Sequence, residues 1–134
     1  MIAVDTGVWI DYLHLEQTAQ AMRLGAELRA GRDIAITDVI YMELLQGVGD
    51  EGAVAALKLR LEQCRVLQVT GLSDFESAAQ LYRRVRRSGH TVRSATDCLI
   101  AAVCIRESVP LLHDDADFDR IAGVSTLKAP AFRS

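Results

Sequence analysis

The chain lacks most of what marks a fibrous, disordered or membrane-spanning polymer. It has two prolines and no low-complexity run in 134 residues, which argues against a long linker or a disordered segment. Its longest strongly apolar run, LIAAVCI (99–105), falls far short of the roughly 20 residues a bilayer-spanning helix needs. The opening MIAVDTGVW has neither the basic segment nor the apolar stretch of a secretory leader. No membrane partner is therefore expected. Cysteine is scarce and odd in number, at Cys64, Cys98 and Cys104, and the spacing matches no zinc pattern. Two of the three fall in a predicted apolar helix, where a free thiol packs as a small hydrophobe. A reducing, cytoplasmic compartment is the simplest setting for such thiols. Lysine is nearly absent, with only Lys58 and Lys128. Nor is there a basic excess, since the net charge is -3. Any nucleic acid must then be met by a local basic patch.

What remains is an ordinary globular composition, 50% hydrophobic and 25% charged. The length suits a single domain, 1–134, able to bury roughly two-thirds of its surface. Short apolar runs at 2–4, 34–36, 66–69 and 110–112 read as strands, with a further strand expected over 124–127. Helices are predicted between them, over 8–13, 19–30, 37–47, 53–63 and 73–89, then through LIAAVCI and over 114–121. Gly31 marks a helix end, and Thr37 or Asp38 a helix start. Ser73-Asp-Phe-Glu76 and Ser94-Ala-Thr-Asp97 read as capping boxes, and the helix opened by the first is expected to bury Phe75, Ala78, Ala79, Tyr82 and Val85. Continuously apolar strands separated by helices indicate a parallel sheet covered on both faces. In such sheets functional groups gather beyond the carboxyl ends of the strands.

Acids collect at that edge. Asp5 ends the first strand, Asp114 and Asp115 follow the fourth, Asp97 opens the helix leading into it, and Glu43 lies about two turns into the helix after the second. Each has a plain structural explanation. Asp97 is the acidic member of a capping box, Asp114 with Asp117 would cap the last helix, Asp5 would cap the first, and Glu43 would lie on a solvated face. Together they are harder to dismiss. Two carboxylates about 4 Å apart repel by roughly 4 kcal/mol at an effective dielectric near 20, and no lysine or arginine stands among them at the strand ends. Oxygen donors without a His/Cys set favour Mg²⁺ or Mn²⁺ over zinc, a site suited to metal-assisted phosphodiester hydrolysis. The one basic cluster is Arg83, Arg84, Arg86, Arg87 and Arg93 with His90. It is either a solvated helix face or a phosphate-contacting rim, with Arg84, Arg87 and Arg93 the candidates for nucleic-acid contact. Trp9 and Tyr12 are expected to pack rather than stack on bases.

Four blocks, MIAVDTGVWIDYL, ITDVIYMELLQG, GHTVRSATDCLIAA and LLHDDADFDRI, resemble in order, spacing and flanks the motif blocks of the PIN-domain family. More narrowly they resemble its VapC-type toxins, the ribonuclease halves of type II toxin–antitoxin pairs. The resemblance implies a three-layer α/β/α fold with a short, mostly parallel sheet of four to five strands, and a Mg²⁺- or Mn²⁺-dependent endoribonuclease. It puts the family's acids on Asp5, Glu43, Asp97 and Asp115, with Asp5, Asp97 and Asp115 as metal ligands and Thr6 and Asp117 as auxiliaries. It implies an RNA substrate, a VapB-like antitoxin and a homodimer. His113 departs from the hydroxyl residue common at its position. A PIN-like RNA- or protein-binding module without catalysis is the alternative, disfavoured by the intact acid set. A receiver or phosphatase domain is disfavoured by Asp5-Thr6-Gly7 after the first strand, where an Asp-x-Asp is needed, and by the lysine positions.

Overall fold

The computed structural model describes residues 1–130. The strands are β1 (Ile2–Val4), β2 (Ile34–Thr37), β3 (Arg65–Leu67) and β4 (Leu111–Leu112). The helices are α1 (Thr6–Leu13), α2 (Ala19–Arg29), α3 (Asp38–Gln46), α4 (Glu51–Leu61), α5 (Leu72–Arg87), α6 (Ala95–Arg106) and α7 (Ala116–Gly123). The four strands form one sheet in the order β3-β2-β1-β4, and every pairing is parallel. β1, β2 and β4 are buried along their whole length, which is why they read as unbroken apolar runs. β3 lies at the edge and exposes Arg65 and Val66. The core gathers Val4, Ile36, Ile40, Leu24, Val85, Ile100, Leu112 and Phe118 around the sheet.

The strand order has one reversal. The chain steps outward from β1 to β2 to β3, then returns to lay β4 on the other side of β1. A crevice opens at such a switch point, beyond the carboxyl ends of the two strands that flank it. Here those strands are β1 and β4, joined past their assigned ends by the bond from the Asp5 N–H to the Leu112 carbonyl (3.0 Å).

Local signals account for most element ends. Gly31 takes a positive φ of 67° just after α2, a conformation glycine adopts without strain. Thr37 caps α3 by accepting from the Ile40 N–H (3.1 Å). Asp38 instead ties α3 to the sheet edge, accepting from the N–H of Val39 and of Val69.

Three expectations fail. No strand forms over 124–127. That segment is turn and irregular chain, and the bond to β4 comes just past it, from the Leu111 N–H to the Lys128 carbonyl (2.8 Å). The box Ser73–Glu76 does not form either, because α5 starts one residue earlier with Gly71 at its N-cap. The α5 face is also turned. It buries Asp74, Ala78, Leu81 and Val85, while Phe75 and Ala79 are exposed and Tyr82 is half-buried. Both sets have helical spacing. The observed one wins because Asp74 is neutralised in place, by Arg106 Nε at 2.9 Å and by the N–H and hydroxyl of Thr70. A buried carboxylate is tolerable only when so paired. The single-domain expectation ran to residue 134, and 131–134 lie outside the described residues.

Candidate active site

Each acid reaches the β1/β4 crevice from its own element. Asp5 follows β1 directly and is the N-cap residue of α1, with only 9% of its surface exposed. Glu43 comes from the second turn of α3. Its Oε1 accepts a hydrogen bond from the Thr6 hydroxyl (2.7 Å), so Thr6 tethers α3 to the start of α1. Asp97 lies in the first turn of α6. Asp115 and Asp117 lie at the start of α7, just past β4.

One carboxylate oxygen from each of Asp97, Asp115 and Asp117 falls within 4.8 Å of the others. Asp5 and Glu43 stand around this trio, close enough for their charges to be felt. Burial raises the Asp97 carboxyl to about 7, with the negative fields of Asp5, Asp115, Asp117 and Glu43 adding to it. Burial likewise raises Asp5 to about 6, with further push from Glu43 and Asp115 against relief from the N–H groups of Thr6 and Gly7. Carboxyl values raised this far are the sign of charge gathered without enough countercharge.

The capping box at α6 is only half formed. Ser94 caps the helix, accepting from the Thr96 N–H (3.3 Å) and sharing a hydrogen bond with the Thr96 hydroxyl (2.6 Å). Asp97 supplies no return bond, and its carboxylate accepts no hydrogen bond among the described residues. It is therefore not held there for capping.

At α7 the expected roles are exchanged. The N-cap is Asp115, whose side chain accepts from the Asp117 N–H (2.9 Å). Asp114 is exposed and accepts from Gln20 Nε2 on α2 (3.2 Å) instead. The cap falls one residue later than its sequence suggests, and the helix starts at Ala116 rather than Asp114, because His113 is buried and bonds locally. Its Nδ1 accepts the Asp115 N–H (3.1 Å) and its ring lies against Phe118. That imidazole supplies no hydroxyl, and burial lowers its pKa against the pull of nearby aspartates.

Nor are the acids without arginine. Arg93, from the loop between α5 and α6, sets Nη2 on Asp115 Oδ1 (2.8 Å) and Nε on Asp117 Oδ2 (3.0 Å). Its backbone N–H reaches the same Asp117 oxygen (3.1 Å). Arg120 takes the other one, Oδ1, at 2.9 Å. Burial pushes the Asp117 carboxyl up, but Arg93 and Arg120 outweigh it and hold it below the usual range. Both oxygens of Asp117 are thus committed to protein donors. This carboxylate is a strut, although it stands within reach of Asp97 and Asp115. The Arg120 partnership was open to prediction, because residues three apart on a helix face one another. The Arg93 partnership spans two segments that only the fold brings together.

The remaining arginines of the basic cluster, Arg83, Arg84, Arg86 and Arg87, are exposed on the last turns of α5. Arg86 sits 6.0 Å from the Tyr82 ring centroid. Trp9 is buried against the edge of Tyr12, as packing predicts. Burial raises the Cys98 thiol to about 11 and Cys104 to about 12, so both stay protonated and inert.

A sequence profile described as the PIN domain matches residues 2–124. The chain belongs to the PIN-domain family. Within it the VapC proteins are near relatives. Ribonuclease VapC11 of Mycobacterium tuberculosis is 40% identical over 135 residues, covering 99% of this chain and 100% of its own. VapC ribonuclease Mb1587 of Mycobacterium bovis matches to the same extent. Solved structures share the fold. VapBC2 from Rickettsia felis, bound to a DNA fragment from its promoter, superposes with a TM-score of 0.75 at 18% identity, covering 97% of this chain and 98% of that one. The sarcin-ricin loop cleaving toxin VapC20 of Mycobacterium tuberculosis gives 0.63 at 24% identity, covering 96% and 99%. The α/β architecture of this PIN domain, with its parallel sheet between helices, is the one its motif blocks imply. No described helix is long and apolar enough to cross a membrane.

Proposed function

We propose that the protein is a metal-dependent endoribonuclease, the toxin of a toxin–antitoxin pair. Full-length similarity at 40% identity to proteins named VapC ribonuclease supports the activity. The observation that carries the chemistry is Asp97. It is a half-buried carboxyl raised to about 7, with no hydrogen bond and no cation of its own among the described residues, facing four other acids. A divalent cation is the ligand that relieves such a site, and the donors are all carboxylate oxygens, which suits Mg²⁺ or Mn²⁺.

In this reading Asp5, Asp97 and Asp115 hold the ion. When bound, it supplies a water activated for attack and a positive charge beside the scissile phosphate. The protein's own residues do the rest. Glu43 is held at Oε1 by Thr6, and its Oε2, without a partner among the described residues, is placed to orient a water or accept its proton. Asp117, fixed by Arg93 and Arg120, keeps the α7 start in register with the Arg93 loop. Arg84 and Arg87 offer exposed positive charge for the RNA backbone. A VapB-like antitoxin, a homodimer and a cytoplasmic setting belong to the same proposal. The test is cleavage of total cellular RNA by purified protein with Mg²⁺, Mn²⁺ or excess EDTA, alongside Asp97→Asn. Cleavage that persists in EDTA, or in Asp97→Asn, would sink the metal mechanism.

A further inference from the structure

We propose that Arg93 is a tethered counter-cation that competes with the divalent ion for Asp115, so that ion binding and release of the Arg93 tip are coupled. This rests on the metal reading above and adds a regulation of that same site. Arg93 makes three contacts of two kinds. Its backbone N–H and its Nε both hold Asp117 Oδ2, at 3.1 and 3.0 Å. Its terminal Nη2 alone reaches Asp115 Oδ1, at 2.8 Å.

The first kind is an anchor. Asp117 is buried and its other oxygen is taken by Arg120, so it neither moves nor turns toward a new ligand. The second kind is a contested bond. Asp115 Oδ1 already receives the Asp117 N–H as its helix cap, leaving little capacity for both a guanidinium and an ion. Asp115 Oδ2, by contrast, accepts nothing among the described residues. The Arg93 side chain is 75% exposed, so its tip has solvent to swing into. An ion held between Asp97 and Asp115 and a guanidinium on Asp115 would sit a few ångströms apart with like charge. The site as it stands therefore carries a substitute for part of the ion's charge. A divalent ion on the open Oδ2 would drive the tip off Asp115 by like charge, while Nε stays on Asp117.

The test is Mn²⁺ binding, measured by calorimetry and by loss of the free-ion EPR signal, to wild type, Arg93→Gln, Arg93→Lys and Asp97→Asn. Competition predicts that Arg93→Gln binds Mn²⁺ about fivefold to tenfold tighter, the scale of a unit charge a few ångströms from a divalent ion in solvent. Arg93→Lys, which restores the charge, is expected to return to within about threefold of wild type. In ¹⁵N-detected spectra with diamagnetic Mg²⁺, the Arg93 Nη protons should exchange faster while Nε–H keeps its position. Equal or weaker Mn²⁺ binding by Arg93→Gln would show that Arg93 only braces the α7 start, and the competition falls while the metal site stands. Mn²⁺ binding by Asp97→Asn equal to wild type would remove the metal site itself, and the competition with it.

Discussion

Asp97 and Asp5 hold protons at pH values where an ordinary carboxyl has lost them, and this sets opposite pH trends for folding and for ion binding. Their folded-state values, about 7 and about 6, lie above the ordinary aspartate value of 3.8. Metal-free protein should therefore have these contributions to stability intact below about pH 4 and lose them as pH rises through 6 and 7. Ion binding runs the other way, because protons leave first. Mn²⁺ affinity is expected to climb steeply from pH 5.5 to 7.5, more than about tenfold per unit near the acid end where both Asp5 and Asp97 must lose protons, and Asp97→Asn should flatten the climb. Calorimetric titrations across that range, with melting curves in chelator, measure both. At α7, Asp115→Asn keeps a good cap and should lose cleavage at little cost in stability. Asp115→Ala should lose cleavage and about 1 kcal/mol besides. Asp117→Asn should cost about 2 kcal/mol or more, since two arginines lose their shared carboxylate. Denaturant melts of the three variants, run beside cleavage assays, separate the ligand from the strut. Equal stability of Asp117→Asn and Asp115→Asn would contradict the division. Asp114 and Asp115 are adjacent aspartates with equal capping propensity, so their spacing alone could not have set it. The choice falls to the buried imidazole of His113, which accepts the Asp115 N–H.

Helices α5 and α6 meet along most of their length, and their ends carry different duties. Arg106 at the end of α6 clamps Asp74 at the start of α5 and also reaches the Gln68 carbonyl (2.7 Å). The Arg106 guanidinium holds the Asp74 carboxyl below its usual range. Its stabilisation is thus present above about pH 4 and fades as pH falls through the lowered value. Asp74→Asn is expected to cost about 2 kcal/mol with cleavage retained, the reverse of Asp97→Asn. At the other end of α5, replacing Arg84 and Arg87 by alanine should weaken RNA binding and reduce the slope of log affinity against log salt by about 1.4. An unchanged slope would return both to a solvated face. The extent of these helices was plain from their sequences, but which stripe of α5 faces inward was not. Leu81 and Tyr82 are equally apolar choices, and the decision rests on Asp74, whose partner lies 32 residues away.

At the scale of the molecule, the parallel sheet and the edge where the acids gather were legible, because buried parallel strands must be apolar throughout and their carboxyl ends must be polar. The countercharge was legible only at Arg120, three residues past Asp117 on the same helix. Arg93 was not, because it arrives through the packing of a loop against α7. Nor was the failure of a fifth strand visible, since 124–127 has strand-like composition, while the bond to β4 falls to Lys128 just beyond it. An ion that binds only the folded form should stabilise the whole domain, by about 2.7 kcal/mol at a hundred times its dissociation constant. The melting temperature in saturating Mn²⁺ should rise for wild type and stay unmoved for Asp97→Asn. The strand order has a further consequence, in the time it takes to make the chain. Asp5 emerges early from a ribosome, but its crevice has no second wall until β4 docks beside β1. A growing toxin would thus stay harmless to the ribosome and messenger that are making it until Leu111 to Asp117 have emerged. Nascent chains arrested before Leu111 are expected to cut no RNA, and cutting by such chains would refute this.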